Sequence, residues 1–177
     1  MIFLLWKYVL APYKLKKLVL LFIILFFCAH CAFCQGKVED GLYLTYPQDS
    51  YLELLESYKD LRRDGVVIEY YENGEIEKLS YYIDGSKDGF ATKYYPNGQI
   101  RSKLQYKEGL QEGSALYFYD NGQIKAQFRY QAGQPQGLAK IYSQEGFLKT
   151  IALYDEGVLV KLREFNEQGQ MVSEKIL

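Results

Sequence analysis

Hydrophobic and polar positions from Gly65 onward recur with a period of 24 residues. In the unit that begins at Gly89, an aromatic residue follows at Tyr94, a branched apolar residue at Ile100 and a second aromatic residue at Tyr106. A fixed period of this length is typical of a stacked array of repeats. Glycine favours turns that need a positive φ, and three glycine series keep the same period. The series are Gly65, Gly89, Gly113 and Gly137; Gly74, Gly98, Gly122 and Gly146; and Gly85, Gly109, Gly133 and Gly157.

Each unit is predicted to be a β-hairpin, because an Asn-Gly or similar turn signal separates two strand-like runs. A two-residue turn would pair Tyr95 with Ile100, whereas a three-residue turn with a glycine bulge would pair Tyr94 with Ile100. Pro96 suits the second position of a type I turn, and Gly98 then takes the left-handed position, so we expect the three-residue form. The predicted fold is mainly β, an elongated antiparallel sheet of successive hairpin repeats over 65–177, with four full units and a short fifth.

The two sides of this sheet differ in chemistry. With strict alternation of side chains, Tyr94, Ile100 and Tyr106 share one side, and we expect the equivalent residues of all units to form the packed face. The other side carries tyrosines beside basic residues and is the candidate partner-binding face. The alternative is a solvated face whose tyrosines pack across strands without a ligand. The candidate binding residues are Tyr71, Tyr95, Tyr119, Arg101 and Lys125.

Residues 35–64 precede these units and are predicted to form an adaptor with a short helix over 50–63. We favour the helix because Ser50 and Glu53 make a capping box and apolar residues follow at helical spacing. The alternative is a degenerate repeat, since Gly41 lies 24 residues before the first glycine of the array. Its apolar positions would then be Tyr46, Leu52 and Tyr58.

Residues 1–34 are predicted to be an export signal. Lysines come first, an unbroken apolar run follows over Leu18–Cys28, and the segment holds no acidic residue. We expect cleavage after Cys34, and the alternative is an uncleaved membrane anchor formed by residues 18–33. The segment holds four of the 21 basic residues and none of the 22 acidic ones, so the remaining chain has a net charge of −5.

The repeat unit resembles the MORN (membrane occupation and recognition nexus) repeat, and it is most similar to the bacterial variant class. This resemblance covers residues 65–177 and implies an elongated, twisted antiparallel sheet of successive hairpins. Bacterial proteins of this kind are often labelled antitoxins of toxin–antitoxin systems. The residues that carry the match in one unit are Gly89, Tyr94, Tyr95, Asn97, Gly98, Ile100, Tyr106, Gly109 and Gly113.

Catalysis is not expected of this chain. Cleavage of the export signal would remove the only histidine, His30, and all three cysteines, which leaves neither imidazole nor thiol for a nucleophilic site. The carboxylates of Glu72, Glu75 and Glu77 surround a turn and indicate a solvated hairpin tip. We therefore expect no catalytic residue, no metal site and no cofactor.

The expected function is that of an exported, non-enzymatic scaffold that binds a protein partner. Tyrosine beside lysine or arginine also suits an anionic membrane or envelope surface, which is the first alternative. The second alternative is an antitoxin-like inhibitor of a partner toxin. Nucleic acid is not an expected partner, because the net charge of the exported chain is negative.

Overall fold

The described part of the chain forms one antiparallel β-sheet. The computed structural model describes residues 40–46 and 51–177, and the predicted export signal or anchor at 1–34 lies outside them. Within the described residues, no helix has the length and apolar character that crossing a membrane requires. The strands are β1 Gly41–Thr45, β2 Leu54–Lys59, β3 Arg62–Tyr70, β4 Ile76–Ile83, β5 Ser86–Lys87, β6 Gly89–Tyr94, β7 Ile100–Lys107, β8 Leu110–Phe118, β9 Ile124–Gln131, β10 Gln134–Pro135, β11 Gly137–Tyr142, β12 Leu148–Asp155, β13 Val158–Phe165 and β14 Met171–Ile176.

Successive strands are neighbours in this sheet, as a series of hairpins requires. The order across the sheet is β1-β2-β3-β4-β6-β7-β8-β9-β11-β12-β13-β14, and the short strands β5 and β10 pair with β4 and β9. All of these pairs are antiparallel. The predicted mainly β fold of successive hairpins is therefore confirmed.

The predicted three-residue turn closes the hairpins of the array. In the second unit Tyr94 pairs with Ile100. The amide of Tyr95 donates to the carbonyl of Gln99 over 2.8 Å, and the amide of Gly98 donates to the carbonyl of Tyr95 over 2.9 Å. Gly98 has a φ of 80°, a left-handed conformation that glycine adopts without steric cost. The equivalent pairs are Tyr70 with Ile76, Phe118 with Ile124, Tyr142 with Leu148, and Phe165 with Met171.

A β-bulge follows each of these turns. β6 and β7 pair as Tyr94 with Ile100 and then as Lys93 with Ser102, so Arg101 is an extra residue on β7. The same irregularity occurs in the β3–β4, β8–β9, β11–β12 and β13–β14 hairpins. One extra residue on the second strand reverses which side of the sheet its later side chains occupy.

The expected packed face is consequently divided between the two sides of the sheet. The pairing register places Tyr106 on the same side as Lys93, whereas Tyr94 is the neighbour of Lys93 and lies on the other side. The expectation that Tyr94, Ile100 and Tyr106 share one side is therefore wrong. We call the side with Tyr106 and Tyr95 the ladder face, and the side with Tyr94 the opposite face.

The segment predicted to be a helix forms β-structure. β2 pairs with β1 along one edge and with β3 along the other, so the helix predicted over 50–63 is wrong for the described residues of that segment. The strand pairing is consistent with the alternative, a degenerate repeat. Gly41 pairs with Tyr58 just as Gly65 pairs with Tyr82. Strand pairing on both edges overrides the local helical pattern, because it satisfies the backbone groups and covers the apolar side chains.

Small residues make up the most buried row of the ladder face. Leu104 pairs with Ala91 on one side and with Ala115 on the other, and Ala115 also pairs with Phe128, so small and large residues alternate across β6–β9. In a single sheet a side chain is buried only where taller neighbours cover it, and a methyl group needs the least cover. The buried members of the row are Glu56, Val67, Ser80, Ala91, Ala115, Ala139 and Ala152.

Two-residue turns lie at the strand ends opposite the three-residue turns. Each of them is hydrogen-bonded to the preceding hairpin. Glu108 and Gly109 form such a turn, with φ of 50° and 84°. The amide of Glu108 donates to the carboxylate of Asp88 over 3.2 Å, and the amide of Gly109 donates to the carbonyl of Lys87 over 2.8 Å. The equivalent amide-to-side-chain bonds run from Asp84 to Asp64, from Ala132 to Glu112 and from Glu156 to Gln136.

Candidate binding face

Three tyrosines of the ladder face join successive hairpins through their hydroxyl groups. The hydroxyl of Tyr95 donates a hydrogen bond to the carbonyl oxygen of Phe118, in the next unit, over 2.8 Å. Tyr71 and Tyr119 make the equivalent bonds over 2.7 and 2.8 Å. All three side chains are half-buried. The predicted tyrosine ladder therefore exists, and its hydroxyls also hold neighbouring repeats together.

The two predicted cations lie against this ladder. Cζ of Arg101 is 5.8 Å from the centroid of the Tyr95 ring, and Nζ of Lys125 is 5.5 Å from that of Tyr119. Both distances fall within cation–π range. Each cation is the extra residue of its β-bulge and lies on the side of the tyrosine, where simple alternation from the preceding isoleucine also places it. The structure thus unites the five residues predicted from the sequence in one row.

The charge along this row changes sign. Glu77 is the bulge residue of the first unit, at the position that Arg101 and Lys125 occupy in the next two. Burial first, and then the carboxylate of Glu77, raise the pKa of the Tyr71 hydroxyl, while Arg101 acts in the opposite direction. The row is consequently acidic at its N-terminal end and basic further along.

A basic depression of about 500 Å³ opens on the ladder face where the second and third repeats meet. Lys93, Arg101 and Lys125 line it, and no carboxylate is among its lining residues. Its aromatic part includes Tyr117 and Phe128, whose rings meet edge to face with centroids 6.0 Å apart. Such a pair is a rigid apolar surface beside three positive charges.

An acidic depression of about 520 Å³ lies on the same face at the first repeat. The cations Arg63 and Lys78 also line it, and each is paired with one of its glutamates. Three carboxylates are left without a cationic partner in the described part of the chain, so this depression repels the anions that the basic one attracts. The glutamates that line it are Glu53, Glu56, Glu69, Glu72 and Glu77.

Strict alternation of side chains along each strand predicts only some of the residues that line the basic depression. It assigns Leu104, Phe128 and Tyr130 to the side away from Tyr95, whereas the bulge brings them to the ladder face. The sequence holds only a faint trace of the bulge, a charged residue directly after the branched apolar position of most units. That trace fits an exposed strand residue equally well, so the aromatic lining could not be placed without the pairing register.

Comparisons with known proteins agree with this repeat structure. The model of the MORN repeat variant family matches residues 63–84, 87–108 and 111–132. A comparison with curated proteins found no significant match.

Two solved structures are similar over short parts of their chains. The crystal structure of accessory secretory protein 1, 2 and 3 in Streptococcus pneumoniae has 18% identity and a TM-score of 0.26, over 67% of this chain and 20% of that one. The GtfA/B complex bound to UDP and GlcNAc has 14% identity and a TM-score of 0.26, over 80% of this chain and 25% of that one. The present chain thus spans a quarter or less of these two chains.

The matched segments coincide with the hairpins that carry the ladder. They contain β3–β4, β6–β7 and β8–β9, in this order. The β11–β12 and β13–β14 hairpins beyond them repeat the same bulged register. The MORN repeat variant model thus matches three consecutive segments of the array between residues 63 and 132.

Proposed function

We propose that the protein is a non-enzymatic scaffold that binds a protein partner through its ladder face. MORN repeats generally mediate protein or membrane interactions. The observation that carries the proposal is the basic depression, whose lining comes from two successive repeats. Backbone pairing and the Tyr95 hydroxyl hold those repeats in register, so the surface is formed before any partner arrives.

The composition of this depression favours a protein partner. Tyrosine and arginine are the usual anchors of protein interfaces, and both line it together with phenylalanine and leucine. The basic and acidic depressions lie on one face, so a partner gains most when it carries a matching pattern of charge.

An anionic membrane surface is the second candidate ligand. Arg101, Lys125 and Lys149 occupy the bulge position in three successive units, which gives a row of three positive charges. Such a row attracts anionic lipid headgroups. The acidic depression on the same face would repel a flat membrane surface of uniform negative charge. For this reason we favour the protein partner.

The test is cross-linked capture with the full chain as bait, in the cells that make it. The site variant combines Arg101→Ala with Lys125→Ala, and the matched control combines Lys103→Ala with Arg129→Ala. The control removes one arginine and one lysine from the opposite face, where Lys103 lies 4.5 Å from the centroid of the Phe90 ring. We expect the site variant to lose a protein that the wild type and the control both retain. Equal capture by both variants would contradict a role for the ladder face.

A further inference from the structure

We infer that the basic depression binds an extended acidic segment of a partner protein, with an apolar side chain against its aromatic lining. This inference rests on the proposed function and adds the chemical class of the partner. Its basis is the grouping of three cations around one apolar surface at the junction of the second and third repeats.

The three cations are available to a ligand. Within the described residues, the ion pairs join Arg63 to Glu56, Lys78 to Glu69, and Glu174 to both Lys161 and Arg163. None of these pairs involves Lys93, Arg101 or Lys125. Both Arg101 and Lys125 are exposed beyond their tyrosine rings, so a carboxylate can approach them without displacing a buried contact.

The spacing of the cations fits an extended polypeptide. Arg101 and Lys125 hold equivalent positions in successive repeats, so two strand spacings, about 10 Å, separate their backbones. A polyproline II segment, which is extended and has three residues per turn, advances about 3.1 Å per residue, so acidic residues three positions apart lie on one side of it at about this distance. A residue between them can then place its side chain against the lining formed by Leu104, Tyr117 and Phe128.

The acidic depression makes the attraction local. Its glutamates lie on the same face one repeat before the basic depression, so an acidic ligand is held at the second and third repeats and is repelled from the first. A uniformly anionic surface would cover both depressions. Its attraction to the basic one would be offset by repulsion from the acidic one.

The experiment measures binding of a fluorescent peptide to the full chain by polarisation. The peptide has glutamate at every third position and one phenylalanine between successive glutamates. A second peptide has lysine in place of each glutamate. The site variant is Arg101→Glu with Lys125→Glu, and the matched control is Lys103→Glu with Arg129→Glu. We expect the site variant to bind the acidic peptide at least about tenfold more weakly, and the control to stay within about twofold of the wild type. The lysine peptide, which the acidic depression attracts instead, should not displace the acidic peptide.

Three outcomes would overturn the inference. Equal weakening in both variants would show unspecific attraction by net charge. Binding to phosphatidylglycerol vesicles without binding to the peptide would make the ligand a membrane. Concentration-dependent self-association in the ultracentrifuge, abolished by the site variant alone, would make the occupant a second copy. Failure of the proposed function would appear in the capture experiment instead. A partner captured equally by the wild type and the Arg101→Ala, Lys125→Ala variant would show that this partner does not bind the ladder face.

Discussion

The turn between β2 and β3 shows how single residues depart from the repeat pattern. Asp60 and Leu61 there have φ of 48° and 67°, while the equivalent turn of the next unit has glycine at its second position, Gly85. A residue with a Cβ in this left-handed conformation brings Cβ close to the following carbonyl oxygen, at roughly 1–2 kcal/mol. This turn, which precedes the first unit of the array, therefore keeps the geometry of the equivalent turns but carries strain at Leu61 that glycine avoids in them.

Replacing this leucine is expected to stabilise the protein. Leu61→Gly should raise the free energy of unfolding by about 0.5–1 kcal/mol. The strain energy that it relieves is larger than the entropic cost of ordering a more flexible glycine when the chain folds. The substitution forfeits only part of a leucine's apolar burial, since Leu61 is already 54% exposed. Urea denaturation measures the change. Gly85→Leu is the reverse substitution at the equivalent site and should destabilise; a loss of stability in Leu61→Gly would mean that its side-chain contacts outweigh the strain.

At the level of the hairpin, local turn chemistry could be read from the sequence and the bulge could not. Pro96 and Gly98 have conformational preferences of their own, and these predict the three-residue turn that the structure shows. The bulge at Arg101 depends on how two strands fit each other, and many residue types tolerate it. The Ser50 capping box misled for a related reason, because pairing with β1 and β3 decides the structure of that segment.

The bulge also reverses the expected ranking of two neighbouring tyrosines. Strict alternation makes Tyr94 the packed residue and Tyr95 the dispensable one. In the structure both side chains are half-buried, but only the Tyr95 hydroxyl bonds to the next repeat, over 2.8 Å to the carbonyl of Phe118. Truncation of the whole ladder would consequently damage the fold, and for this reason the binding tests use the cations.

The tyrosine hydroxyls can be separated from the rings by a conservative substitution. Tyr95→Phe should lower the free energy of unfolding by about 1 kcal/mol, the usual net value of one hydrogen bond, while the ring and its contact with Arg101 remain. Tyr94→Phe is the matched control and should change stability by less than about 0.5 kcal/mol. Chemical denaturation of the two variants decides the question, and equal effects would show that the bond to Phe118 does not stabilise the array.

Across the whole sheet, each hairpin contacts only its neighbours. The most extensive contacts between strands join consecutive members of the sheet order. Bonds between hairpins have fixed separations of 20 residues at the two-residue turns and 23 residues at the tyrosine ladder. Stability in such an array is close to a sum of unit and interface terms. The period of 24 residues was therefore enough to predict the array, whereas the sign of charge in each depression depends on residues brought together only by the folded register.

Removal of one whole unit tests this additivity. Deleting residues 113–136 joins Glu112 to Gly137, so the amide of Glu156 meets Glu112 in place of Gln136, and the Tyr95 hydroxyl meets the carbonyl of Tyr142. The variant should unfold cooperatively with a smaller dependence on urea, since less surface is exposed. It should also bind the acidic peptide more weakly: Lys149 takes the place of Lys125, but Ile141 and Ala152 replace the aromatic Tyr117 and Phe128 of the lining.

A deletion of half a unit is the control for this experiment. Removing residues 113–124 takes away 12 residues and breaks the 20- and 23-residue separations of the bonds that cross it. Those amides and carbonyls would then lie opposite the wrong partners, and unpaired backbone groups are costly wherever they are buried. We expect this variant to lose its cooperative urea transition and much of its β-sheet circular dichroism. If both deletions unfold alike, the array behaves as one cooperative core, and its stability does not divide among the repeats.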